Sequence, residues 1–160
     1  MATAVAHRGA KARPERIPAR KVLVVDENPR DLLACVNTLT RNGYRVSACN
    51  SFEEGTRQLD AGFDLIILSQ GTADFESQSL LERLIEIDRR VPVVVVTRSV
   101  NMGCYLDAMQ LGVRDYVAKP LTPEQLLRIV ESALPAPIAG QLSALGSAVD
   151  HVLIRCPSAI

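Results

Sequence analysis

A chain of 160 residues is long enough for one domain with a hydrophobic core and a short appendage, and 48% hydrophobic with 22% charged residues argues against wholesale disorder. Net charge is zero, but the first 21 residues hold six Lys/Arg against Glu15 alone, a local +5, so the remainder carries −5 and offers no basic patch for nucleic acid. No apolar run approaches the roughly 20 residues that span a bilayer, and no apolar stretch of a signal peptide opens the chain, so a cytoplasmic protein is expected.

Residues 1 to 20 are rich in Ala and Arg, are broken by Pro14 and Pro18 and show no apolar periodicity, which predicts a disordered basic tail. Lys21 to Val25 (KVLVV) then begins the folded part with a continuous β-branched and aliphatic run, the pattern of a strand buried on both faces of a parallel sheet. Leu32, Val36 and Leu39 follow at helical spacing, and Asn42-Gly43 closes that helix. A second strand is predicted from Arg45 to Cys49, and a second helix carries Phe52, Thr56 and Leu59, capped by Ser51 with Glu54 three residues on.

The third strand is predicted over Phe63 to Leu68, the fourth over Pro92 to Val96 and the fifth over Val113 to Val117. Helical spacing recurs at Leu80, Leu81, Leu84 and Ile85, at Met102, Leu106 and Met109, and at Leu126, Leu127 and Val130, with Thr122 and Pro123 opening the last helix. Five alternations of strand and helix predict an α/β fold with a parallel sheet covered on both faces. The expected domain runs from 21 to 134. Beyond Pro135, residues 135 to 160 form an extension in which Ile138, Leu142, Leu145, Val149, Val152 and Cys156 are spaced to draw one helical stripe, weakened by Gly140 and Gly146. The four cysteines show no metal-ligand spacing and are expected to be buried, reduced thiols.

In an open parallel sheet the binding crevice lies at the carboxyl ends of the strands, so the residues just after each strand carry the chemistry. Asp26 and Glu27 follow the first strand, Ser69 the third and Lys119 with Pro120 the fifth, while Thr97 ends the fourth. Two adjacent carboxylates suit a hard cation such as magnesium, although Asp26 as a plain helix cap explains the pair equally well. A lysine and a threonine at neighbouring strand ends can hold a phosphoryl oxygen. The first strand-to-helix turn, Asp26-Glu27-Asn28-Pro29, is acidic and lacks glycine, which speaks against a dinucleotide cradle, and no Gly-x-Ser-x-Gly elbow is present.

The segments KVLVVDENPRD, DLIILS, VVVVTR and GVRDYVAKP resemble, in order and separation, the receiver domain of two-component response regulators, a CheY-like family, over residues 21 to 133. The resemblance implies a flavodoxin-like (βα)5 sheet in the order 2-1-3-4-5, a magnesium-binding acidic pair at Asp26 and Glu27, switch positions at Thr97 and Tyr116, the family lysine at Lys119 and a cis bond before Pro120. It also implies that Ser69 stands on the position of the phosphate-accepting aspartate.

A serine there is neither an ionised carboxylate nucleophile nor a good metal ligand, and both histidines, His7 and His151, lie outside the expected domain. Asp64, about five residues upstream, is roughly 16 Å away at strand rise. The reading from sequence is therefore a pseudo-receiver: a non-enzymatic interaction module without aspartyl phosphorylation, with magnesium binding weak or absent. Its expected partners are a histidine kinase or output protein, or a second copy of the chain. The alternative is a phosphorelay receiver using an atypical acceptor such as Asp74.

Overall fold

The computed structural model describes residues 19–71 and 77–135, and residues 19–135 form one compact unit. The predicted basic tail, the helical stripe beyond Pro135, Cys156 and Asp74 all lie outside the described residues.

Five parallel strands form one sheet: β1 (Lys21–Val25), β2 (Arg45–Cys49), β3 (Leu65–Gln70), β4 (Val93–Thr97) and β5 (Asp115–Ala118). Their spatial order is β2-β1-β3-β4-β5, as expected for a flavodoxin-like fold. The helices α1 (Pro29–Arg41), α2 (Phe52–Gln58), α3 (Gln78–Ile87), α4 (Met102–Gln110) and α5 (Pro123–Ala133) connect them, with a 3-10 turn over Leu59–Ala61.

Every residue of the central strands β3 and β4 is buried, whereas the edge strands β2 and β5 each keep exposed positions. This is the consequence of helices covering both faces, and it explains why the central strands read as unbroken apolar runs. The core is accordingly split by the sheet. Val22, Val24, Leu65, Ile67, Val94 and Val96 point toward α1 and α5, while Leu23, Val25, Ile66, Leu68, Val93 and Val95 point toward the opposite layer.

The predicted helix ends are found where the side chains can satisfy free backbone groups. Ser51 accepts from the Glu54 N–H at 3.2 Å, and Thr122 and Gln125 form a reciprocal capping box with Pro123 at the first helical position. Gly43 closes the α1 end at φ 86°, a conformation that side-chain-bearing residues rarely adopt.

Three strands shift from the sequence reading, the fourth by only one residue at each end, to Val93–Thr97. The third strand starts later and runs through Ser69 and Gln70, which pair with Val96 and Thr97 of β4. Ser69 is thus a ladder residue rather than a residue after the strand, because β4 extends far enough to keep β3 paired. The fifth strand begins at Asp115, since Gly112 and Val113 are occupied in closing the α4 turn, with Gly112 at φ 86° and the Val113 N–H bonded to the Ala108 carbonyl.

Candidate functional site at the strand ends

The local chain conformation after β1 arranges the first part of the site. Asn28, not Asp26, caps α1, its side chain accepting from the N–H groups of Arg30 at 3.0 Å and Asp31 at 3.3 Å. Asp26 instead turns its Oδ1 back to the Asn28 N–H at 2.9 Å, which leaves Oδ2 facing the sheet end. The helix-cap reading of Asp26 is therefore corrected: a residue three positions before Pro29 is too far upstream to reach the first-turn donors, and Asn28 reaches them.

Lys119 lies across from this carboxylate, after β5 and before a cis Lys119–Pro120 bond. Its Nζ donates to Asp26 Oδ2 at 2.7 Å, to Ser69 Oγ at 2.7 Å and to Asp31 Oδ2 at 2.9 Å. An ammonium has three protons, and all three have acceptors here. Asp26 is 5% exposed and Ser69 8%, so these bonds form in a largely water-excluded place where each counts for more than at the surface.

Asp31, in the first turn of α1, is the residue that sequence reasoning missed. It accepts from both Lys119 and Arg98, whose Nη2 lies 2.5 Å away. Burial acts to raise the Asp31 pKa, but the hydrogen bonds and charges of Lys119 and Arg98 prevail and hold it below the ordinary carboxylate value. The available signal was its place three residues after Asn28, in the helix turn that faces the crevice and where acidic residues are favoured.

Glu27 does not join the cluster and is exposed. Thr97 is fully buried but its hydroxyl is turned to its own loop, donating to the Ser99 carbonyl at 2.8 Å and accepting from the Ser99 N–H at 3.2 Å. Strand alternation accounts for this: Thr97 shares a face with Val93 and Val95, whereas Ser69 shares the opposite face with Leu65 and Ile67.

Tyr116 belongs with Thr97. Its ring packs edge-on against Tyr105, with centroids 5.6 Å apart and planes at 89°. Among the described residues its buried hydroxyl has no hydrogen-bond partner. Burial pushes the phenol pKa up and the neighbouring Thr97 hydroxyl acts against that shift, but with Thr97 Oγ1 committed to Ser99 no close hydrogen bond joins them. Of the sequence-predicted site residues, Asp26, Ser69 and Lys119 therefore lie on one face and Thr97 and Tyr116 on the other, while Glu27 stands apart in solvent.

The donor set does not fit the magnesium ion that the family resemblance implies. Both Asp26 oxygens are engaged, Glu27 faces solvent, Ser69 supplies a neutral hydroxyl already bonded to Lys119, and the ammonium sits among the remaining oxygens. Hard-cation binding needs several free oxygen ligands carrying charge. Among the described residues no group of three or more His, Cys, Asp or Glu side chains is placed to hold a metal, and no helix is long and apolar enough to cross a membrane.

Cys49 and Cys104 are buried and Cys35 is half-buried, and Cys35 and Cys49 are free thiols. Burial pushes Cys35 up to about 12, with the Asp26 charge adding to the shift and Lys119 opposing it, so this thiol is not a nucleophile at neutral pH.

Residues 22–131 match the response regulator receiver domain family. Among curated relatives, the chain is 26% identical over 145 residues to the transcriptional regulatory protein ZraR of Escherichia coli K12, covering 82% of this chain and 33% of that protein. It is 32% identical over 113 residues to the two-component response regulator ARR2 of Arabidopsis thaliana, covering 68% of this chain and 17% of that protein. The chain thus spans a third or less of these two relatives.

Among solved structures, a CheY-like receiver domain protein from Methanospirillum hungatei superposes with a TM-score of 0.67 at 23% identity, covering 71% of this chain and 92% of that one. The chemotaxis protein CheY4 of Vibrio cholerae gives 0.66 at 21% identity, covering 72% and 99%. With the matched family span and the strand order in agreement, the chain belongs to the response regulator receiver domain family of two-component signalling.

Proposed function

We propose that this receiver domain signals through protein contacts without aspartyl phosphorylation, its acceptor position being held by Ser69. The observation that carries this reading is the 2.7 Å bond from Lys119 Nζ to Ser69 Oγ. At the end of β3, where the family resemblance puts a nucleophilic carboxylate, there is a hydroxyl whose hydrogen-bond partner among the described residues is the Lys119 ammonium, a proton donor and not a general base. Lys119, Asp26 and Asp31 form a closed ionic lock, and the domain's conformation is set by its partners instead of by phosphate. The protein is not an enzyme in this reading, and it acts in the cytoplasm.

Receiver domains interact with histidine kinases and output domains. For this chain the partner surface we favour is the region of α4 and its preceding loop. Val100, Met102 and Leu106 are 66%, 67% and 50% exposed there, an apolar exposure that a monomer usually avoids unless it serves contact. A kinase, an output protein or a second copy of the chain each suits such a surface.

The test is intact mass after incubation with magnesium and acetyl phosphate or phosphoramidate. No gain of mass is expected. A stoichiometric gain of one phosphoryl group overturns the proposal, and mapping it to Asp74 would establish the chain as a phosphorelay receiver with an atypical acceptor.

A further inference from the structure

Behind the ionic lock, between α1, α5 and the sheet, lies a half-open cavity of about 510 Å³. Its floor is the apolar strand surface of Val24, Ile67 and Val96, and Leu126 of α5 forms one wall. The opposing stretch of α1 carries only small side chains, Ala34, Cys35 and Thr38, and this leaves the space open. At the strand ends the cavity finishes against Asp26, Asp31, Ser69, Arg98 and Lys119. A concave apolar chamber of a few hundred Å³ with a few polar groups at one end is the usual form of a small-molecule site.

We propose that this cavity binds a neutral small molecule with an apolar body and one hydrogen-bond acceptor, a carbonyl or ether oxygen, directed at the Ser69 hydroxyl. The charges at the polar end select neutrality. Two carboxylates, Asp26 and Asp31, face two cations, Lys119 and Arg98, and each is bonded to a member of the other pair. An anion would have to displace a carboxylate from Lys119, and a cation would have to displace Lys119 itself. Ser69 Oγ accepts from Lys119 but its own O–H is not drawn upon by any of these bonds, so it remains to donate. The same Ser69 that forfeits carboxylate chemistry thus supplies the donor, in a place where an unmet acceptor on the ligand would be costly. This site rests on the reading above in one respect: the lock of Lys119 on Ser69 is taken as the resting state.

The probe for the experiment is prodan, a neutral naphthalene ketone whose emission moves to shorter wavelength in apolar surroundings. Titrated with the full chain, it is expected to bind saturably at one site, with a blue-shifted emission and a raised melting temperature. Cys35→Phe fills the cavity from its α1 wall and is expected to weaken binding at least tenfold. Ala34→Leu, at an exposed and tolerant position on the same wall, is expected to weaken it several-fold if Cys35→Phe fails to fold. Ser69→Ala is expected to cost roughly threefold to tenfold by removing the donor, whereas Met102→Gln on the exposed face of α4 leaves binding unchanged. Absence of saturable binding overturns the proposal, as does binding that survives the folded cavity variants or is lost with Met102→Gln. Phosphoryl labelling of the chain would refute the phosphorylation-independent reading and leave this titration to stand or fall by itself.

Discussion

Lys119 Nζ sits 2.7 Å from both Ser69 Oγ and Asp26 Oδ2, bridging the end of β3 to the end of β1 with a single ammonium. The bridge ties together two strands and, through Asp31, the first turn of α1. Its energetic character follows from burial: charges largely removed from water are costly alone and tolerable only as a matched set.

Removing the cation is therefore expected to harm stability well beyond the loss of a surface ion pair. Lys119→Ala leaves Asp26 buried without its partner and is expected to destabilise the domain by roughly 3 kcal/mol, seen in chemical denaturation. Adding Asp26→Asn to that variant should restore part of the loss, because the stranded charge is then gone. Equal and additive effects of the two substitutions would show that the pair is not coupled.

Reinstating a carboxylate at the acceptor position tests whether one residue closed the metal site. Ser69→Asp adds a third acidic group beside Asp26 and Asp31 and gives Lys119 a stronger partner. Magnesium titration by calorimetry is expected to show binding in this variant and none in the parent chain. An unchanged, flat titration would place the cause in Glu27, which faces solvent, rather than in Ser69.

The Asp31 carboxyl supplies a pH dependence whose sign is fixed. Its pKa in the folded domain lies below the ordinary value of 3.8, opposed by burial and lowered by Lys119 and Arg98. A lowered folded pKa contributes stability that is fully present above the ordinary value and is lost as pH falls through the lowered one. Asp31→Asn should therefore be less stable than the parent by a constant amount above about pH 5, and the difference should begin to shrink near the ordinary carboxylate value, about pH 4, and vanish only below the lowered folded one. Parallel denaturation curves across pH 2 to 7 would contradict this.

A fourth expectation concerns packing. Gly55 is buried in α2, where alanine would ordinarily favour the helix by up to about 1 kcal/mol. A Cβ at this position would meet Val25 Cγ2 at 2.8 Å and Leu80 Cδ1 at 3.0 Å. Val25 is β-branched and buried on β1, so it cannot swing aside. Gly55→Ala is expected to destabilise by about 1 to 2 kcal/mol, read as a lowered melting temperature; a rise would mean that α2 shifts freely on the sheet.

The sequence by itself determined the architecture, because the signals involved are local. Unbroken aliphatic runs such as Val93 to Val96 can be buried on two faces only in a covered parallel sheet, and caps such as Ser51 and Thr122 act within three residues of themselves. It also brought Asp26, Ser69, Thr97 and Lys119 to one end of that sheet, since parallel strands place all their carboxyl ends together. What only the tertiary structure decided is which of these side chains meet. Strand boundaries and the two-residue alternation put Ser69 with Asp26 and Lys119 on one face and Thr97 with Tyr116 on the other, and a shift of one residue would have reversed the assignment. Asp31 and Arg98, 67 positions apart, were invisible as a pair for the same reason: their contact depends on how α1 is set against the end of β4, a matter of packing that no local spacing encodes. The cavity is likewise tertiary, made by small residues of α1 lying over a sheet that the sequence describes only as apolar.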